Sequence, residues 1–168
     1  MTVQVPWYGH LIEEVSARHG LPADLVGAMV RVESSGRTNA YRYEPAYWLR
    51  YLADKPEWRD LNPNRVSASY GLLQVMYPTA VANGYVGDPE ALFLPAMGLE
   101  FGCRELERLL AWARTFEATP EARLQAAVAA YNGGQRGNAP TDTPLRNLAY
   151  TGRVAHELSG IPFAALSG

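Results

Sequence analysis

Cysteine and lysine are almost missing from this chain. Cys103 is the only cysteine, so an intrachain disulfide is excluded and the redox compartment stays open. Its surroundings, residues 98–110, have helical periodicity, which makes a buried, inert thiol the expected state. Lys55 is the only lysine, and arginine supplies every other side-chain cation. Arginine offers bidentate recognition of carboxylates, although such a bias can also follow from genome composition. No long run of one charge sign exists and the formal net charge is −2, which argues against the basic stripe of a nucleic-acid binder. No apolar run reaches the length of a membrane span. Residues 1–10 lack a basic region followed by a long apolar core, so a conventional secretory signal is expected to be absent or already removed. Internal repeats and low-complexity segments are absent as well. His10, His19 and His156 are scattered, and His156-Glu157 lacks the second histidine of a zinc-protease motif. With no Gly-x-Ser-x-Gly elbow and no phosphate loop either, neither metal nor cofactor is expected.

What the chain does have is apolar periodicity. Hydrophobic residues make up 48% of its 168 positions and charged ones 19%, which argues against disorder, and one domain over 1–168 is the simplest expectation. Spacing and stop signals predict helices over about 7–19, 22–34, 45–52, 78–82, 95–116, 120–131 and 147–158. Asn62-Pro63-Asn64 is expected to break the chain, 67–71 to form a polar turning loop, and 72–76 a short helix or turn. A loop with Pro140 and Pro144 precedes the last helix. Strand signals are weak, so the expected class is mainly α, a helical bundle with a cleft and a small irregular lobe or hairpin over 37–69. Gly98 and Gly102 have the spacing of a membrane dimer motif, but Glu100, Arg104 and Glu105 beside them point to close helix packing in a soluble core.

Glu33 stands out. Leu25, Met29 and Glu33 are spaced i, i+4, i+8, with Val26 and Val30 beside them, so a carboxylate continues the apolar stripe of a helix. Desolvation there favours the protonated form, and a carboxylic acid protonated near neutral pH is suited to general acid catalysis. The competing structural reading pairs Glu33 with a nearby arginine, Arg31 or Arg37.

Three segments fall at helix ends or turns: Glu33-Ser34, then Gly71-Leu72-Leu73-Gln74-Val75-Met76, then Ala130-Tyr131-Asn132-Gly133-Gly134. In this order they resemble the catalytic domain of the soluble lytic transglycosylases. That family belongs to the lysozyme-like superfamily and is grouped with goose-type lysozymes in glycoside hydrolase family 23. Glu-Ser matches the family's catalytic pair, Gly71-Leu72-Leu73-Gln74 its Gly-Leu-Met-Gln with Leu73 for Met, and Ala130-Tyr131-Asn132 with Gly134 its Ala-Tyr-Asn-x-Gly. Tyr150 and Val154 resemble the tyrosine and valine of its last helix. The resemblance covers about 21–158. It implies a lysozyme-like α+β fold and cleavage of peptidoglycan between N-acetylmuramic acid and N-acetylglucosamine. Glu33 would act first as acid and then as base, leaving a 1,6-anhydro product. Tyr131 or Tyr150 would orient Glu33. Ser34, Ser69, Gln74, Met76 and Asn132 would line or bind the sugars. The partner implied is the glycan strand, and the place of action the cell wall, periplasmic or extracellular.

Two departures from the family pattern matter. Residues 37–65 resemble an insertion, and its Tyr41-Arg42-Tyr43-Glu44-Pro45 is similar to phage-type members. Ala68-Ser69 stands where a Gly-Ala pair is common. The insertion supplies an alternative: Glu44, or Asp60, could activate water opposite Glu33 and make the enzyme an inverting muramidase. For Glu44 the plainer reading is a first-turn helix charge. Gln74 could serve loop backbone, Asn132 could be helix-stop chemistry, and Tyr150 core packing. The aromatic residues of the insertion could build a small core or a sugar-stacking wall. A peptidoglycan-binding module without catalysis, and one part of a phage or secretion assembly, are the further alternatives. In isolation a monomer is expected.

Overall fold

Proline marks where several helices begin. Its fixed φ and missing N–H suit a first turn, and Pro45, Pro63, Pro95 and Pro120 each occupy one. The computed structural model describes residues 6–135 and 148–166. Helices α1 (Gly9–Arg18) and α2 (Ala23–Ser34) come first. A small lobe follows. It holds strand β1 (Tyr41–Tyr43), helix α3 (Pro45–Tyr47) running into a π turn at Trp48–Leu52, helix α4 (Pro63–Val66), and strands β2 (Ala68–Tyr70) and β3 (Val75–Met76). Then come α5 (Tyr77–Ala82), a 3-10 turn at Pro89–Phe93, the long α6 (Pro95–Ala113), and α7 (Pro120–Gly133). Helix α8 (Leu148–Glu157) and a 3-10 turn at Phe163–Leu166 complete the described chain. The class is mainly α with a small sheet, as the sequence pattern predicts. The expected loop with Pro140 and Pro144 lies outside the described residues. No described helix is long and apolar enough to cross a membrane.

One contiguous apolar cluster forms the core. Helix α6 runs through it, burying Leu99, Cys103, Leu106 and Leu109, and packs on α1 and α7. Each fully buried leucine stabilises the fold by about 1.5–3 kcal/mol. The two glycines of α6 let neighbouring chain lie against the helix, the 3-10 turn at Gly98 and the turn between β2 and β3 at Gly102. A Cβ on Gly98 would sit 2.8 Å from the Leu92 carbonyl oxygen, and one on Gly102 would sit 2.5 Å from Leu73 Cδ1. Their spacing therefore serves close packing in the core.

The lobe departs from the expected pattern. Residues 67–71 were expected as a polar loop, yet Ala68–Tyr70 is the central strand of an antiparallel sheet ordered β1-β2-β3. Its serines look like loop residues, but tertiary partners satisfy them: Ser67 Oγ donates to the Glu44 carbonyl at 2.8 Å, and Ser69 Oγ to Gln74 Oε1 at 3.0 Å. The expected helix or turn over 72–76 is a turn that ends in β3. Asn62-Pro63-Asn64 does more than break the chain, since Asn62 caps α4 by accepting from the Asn64 N–H at 3.0 Å. Register puts Tyr41, Tyr70 and Val75 in one row and Arg42, Ser69 and Met76 in the next. Alternation along a strand sends these rows to opposite faces. The first row is turned toward the core, with Tyr70 ring-packed on Tyr41 and Phe93.

Candidate active site

Leu25 and Met29 are fully buried on α2, and Glu33 continues their line into the last turn. Burial raises the pKa of its carboxyl above the usual carboxylate range. The negative end of the helix dipole acts in the same direction. Three groups work the other way: a hydrogen bond from Tyr150, and the positive charges of Arg42 and Arg153. Tyr150 Oη donates to Glu33 Oε1 at 2.6 Å. Neither Arg31 nor Arg37 pairs with Glu33. Arg31 reaches across to α8, donating from Nε to Glu157 Oε2 at 2.9 Å and from Nη2 to the Glu157 carbonyl at 2.8 Å. Arg37 Nε donates to the Ser34 carbonyl at 3.2 Å. The Arg31–Glu157 clamp thus helps fix α8, and with it Tyr150, against the helix that carries the acid.

Gly71-Leu72-Leu73-Gln74 forms the tight turn from β2 to β3. Gly71 has φ +72°, and a Cβ there would lie 2.5 Å from the Leu92 carbonyl oxygen, so glycine is required for both reasons. Gln74 also adopts positive φ, at +46°. Its Nε2 donates to the carbonyls of Ala40 and Gly71, each at 3.0 Å, and its Oε1 accepts from Ser69. The side chain ties the sheet to the turn. Tyr131 Oη donates to the Leu73 carbonyl at 2.8 Å, which fastens the end of α7 to the same turn. Burial, and then the nearby charge of Glu33, push the Tyr131 phenol well above its ordinary pKa. Of the two tyrosines expected to orient Glu33, Tyr150 makes the bond and Tyr131 braces the turn.

The remaining candidates divide by exposure. Ser34 is buried and its Oγ donates to the Val30 carbonyl at 3.0 Å, a bond within α2. Ser69 is buried between Arg42 and Met76 in the sheet row. Met76 is half-buried, and Asn132 is exposed near the end of α7. Glu44 pairs with Arg42 Nε, two residues back along the chain. Asp60 is 84% exposed and pairs loosely with Arg59 at 3.6 Å. In the aromatic insertion Tyr41 packs on Tyr70 and Trp58 on Tyr77, whereas Tyr47 and Tyr51 pair on the more open π-turn segment. Sequence reasoning missed Arg42 and Arg153 as neighbours of Glu33. A signal for Arg153 existed, since it follows Tyr150 by three residues on a helix and so shares its face. His19 sits between Glu100 and Glu107, and no described cluster of histidine, cysteine and acidic residues could hold a metal ion.

The family model for the transglycosylase SLT domain matches residues 10–141. The chain belongs to this family. Lytic transglycosylase Slt from Pseudomonas aeruginosa, solved as an inactive mutant, superposes with a TM-score of 0.64 at 16% identity, over 93% of this chain and 24% of that one. The soluble lytic transglycosylase Slt70 from Escherichia coli superposes with a TM-score of 0.58 at 16% identity, over 96% of this chain and 26% of that one. Both likenesses speak for the lysozyme-like fold. The chain spans about a quarter of the length of either structure. No curated protein sequence matches it. The span matched to the SLT family ends before α8, so the partner of Glu33 comes from beyond it.

Proposed function

We propose that this SLT domain is a peptidoglycan lytic transglycosylase. It would cleave the β-1,4 bond between N-acetylmuramic acid and N-acetylglucosamine, with Glu33 as acid and then base. The observation that carries the reading is the Glu33–Tyr150 pair, a desolvated carboxyl aimed by a 2.6 Å hydrogen bond. Burial favours the protonated form of Glu33, whose proton would pass to the glycosidic oxygen as the N-acetylglucosamine hydroxyl leaves. The resulting carboxylate is stabilised where it stands by the Tyr150 hydroxyl and by Arg42 and Arg153. It then takes the proton of the muramyl C6 hydroxyl while that oxygen bonds to C1. The site thereby returns to its starting protonation state with a 1,6-anhydro end on the product. An oxocarbenium-like transition state lies between.

The pairing of Glu44 with Arg42 supports a one-carboxylate mechanism, because it gives that carboxylate a partner within the protein. Half-buried Met76 and exposed Asn132 would touch sugar, while Ser34, Ser69, Gln74 and Tyr131 would shape the walls through bonds already made within the protein. Action at the cell wall follows from this reading. Mass spectrometry of a defined muropeptide chain after digestion tests it, with the Glu44→Gln variant run beside the wild type. Anhydro-muramyl ends are expected from both. Water-added reducing ends, lost in Glu44→Gln, would instead establish an inverting muramidase. Glu33→Gln is expected to stop clearing of cell-wall suspensions while wall binding persists.

A further inference from the structure

We propose that a second cavity, at the opposite end of α2 from Glu33, binds the carboxyl terminus of a protein chain whose last residue is leucine, isoleucine or valine. The cavity has a volume of about 470 Å³, within the roughly 300–1,000 Å³ of small-ligand sites. It lies where the starts of α2 and α7 meet the end of α6. Glu33 and Tyr131 stand near the other ends of α2 and α7. From Pro22 to Glu33, and from Pro120 to Tyr131, a helix rise of about 1.5 Å per residue gives roughly 16 Å. The cavity is therefore separate from the site around Glu33. Leu21, Leu110 and Leu124, all buried, and half-buried Leu166 give it apolar walls. Arg114 and Arg123 give it charge, and no acidic side chain among the described residues lines it. Arg123 Nε donates to the Glu117 carbonyl at 2.8 Å, which fixes the guanidinium against the link between α6 and α7. Among the described residues neither Arg114 nor Arg123 has a carboxylate partner, whereas Arg18, Arg31, Arg65, Arg104 and Arg108 each have one.

Two guanidiniums without a counter-charge call for an anion, and their planar forks match a carboxylate. Leucines lining the same small volume call for an aliphatic group beside that anion. A C-terminal residue carries both on one Cα, so one residue satisfies both walls. Inorganic phosphate would satisfy the arginines alone. An acidic residue in mid-chain would bring peptide groups in from both sides, and leucine offers those no partners. Four leucines suit a larger aliphatic side chain better than the methyl of alanine, which favours a protein's C-terminus over a cell-wall peptide ending in D-alanine.

The test titrates the whole chain with four probes, followed by calorimetry: acetyl-Ala-Ala-Leu as the free acid, the same peptide as its C-terminal amide, acetyl-Ala-Ala-D-Ala as the free acid, and inorganic phosphate. The leucyl acid is expected to bind best, and its amide about tenfold more weakly, the size of one charged hydrogen bond. Arg114→Gln and Arg123→Gln should each weaken the leucyl acid about tenfold and change the amide by less than about twofold. Leu166→Ala should weaken the leucyl acid about fourfold, the worth of one buried methylene, and leave the D-alanyl acid within about twofold. Damage to the fold would weaken acid and amide alike, so the difference between them is the readout. Equal binding of acid and amide, phosphate binding as tightly as the leucyl acid, or no binding at millimolar peptide would each overturn the proposal. Tighter binding of the D-alanyl acid would overturn it as well and assign the cavity to the wall. Binding is read without turnover, so a failure of Glu33 to cleave peptidoglycan would sink the transglycosylase reading and leave this result standing. In a clearing assay Arg114→Gln and Arg123→Gln should stay within about twofold of the wild type, and a loss like that of Glu33→Gln would place the cavity's arginines in the cleft instead.

Discussion

At the residue scale, the proposed mechanism requires one carboxyl to be acidic enough to give its proton and basic enough to take one back. Burial pushes the Glu33 pKa up, and Tyr150, Arg42 and Arg153 hold the rise in check. Tyr150→Phe removes one of those restraints. The Glu33 pKa should rise further, and a general acid works below its pKa, so the upper limb of the kcat/KM profile should shift to higher pH. The maximum should fall roughly tenfold, because the acid loses its aim and the carboxylate its hydrogen bond. A profile that keeps its upper limb in place would remove Tyr150 from this role. Glu33 itself was legible from spacing alone, since nothing but i, i+4, i+8 was needed to put it on the apolar face. Arg42 was not. Its position beside Glu33 depends on a strand register set by tertiary pairing, and local spacing carries no trace of that.

At the element scale, the site is a meeting of helix ends with one tight turn. The turn from β2 to β3 lies close against α6 at Gly102 and is fastened by Tyr131. Gly102→Ala would place a methyl 2.5 Å from Leu73 Cδ1, 2.8 Å from Leu73 Cβ and 3.1 Å from Tyr131 Oη. The turn must retreat, and a stability loss of about 1–3 kcal/mol is expected from urea unfolding. Activity should fall alongside it, since Gln74 and Met76 move with the turn. The long helices were legible because their apolar faces repeat at 3.6 residues over several turns. The sheet was not, because strands of two or three residues give periodicity nothing to repeat, and buried serines imitate a loop until their partners are known.

At the scale of the whole molecule, charge links the first helix to the central one. Glu100 on α6 is partly buried, which alone would raise its pKa. Hydrogen bonds from Arg18, Arg104 and His19 outweigh burial and bring it down to about 2. A carboxylate depressed in the folded state adds stability above its unfolded pKa, roughly 4.3. That contribution is lost as pH falls through about 2. Glu100→Gln should therefore lower Tm at neutral pH, and the gap from the wild type should close as the pH of the melt is taken from about 4 toward about 2. A gap independent of pH would mean that the side chain acts by packing alone.

Glu33 and Tyr150 lie 117 residues apart in the chain. A ribosome delivers a chain from its N-terminus, so the helix bearing the acid emerges long before the helix that aims it. The pair can close only after α6 and α7, which lie between its two helices in the chain, have been made. A chain made only as far as α7 therefore carries Glu33 without the hydrogen bond that directs it.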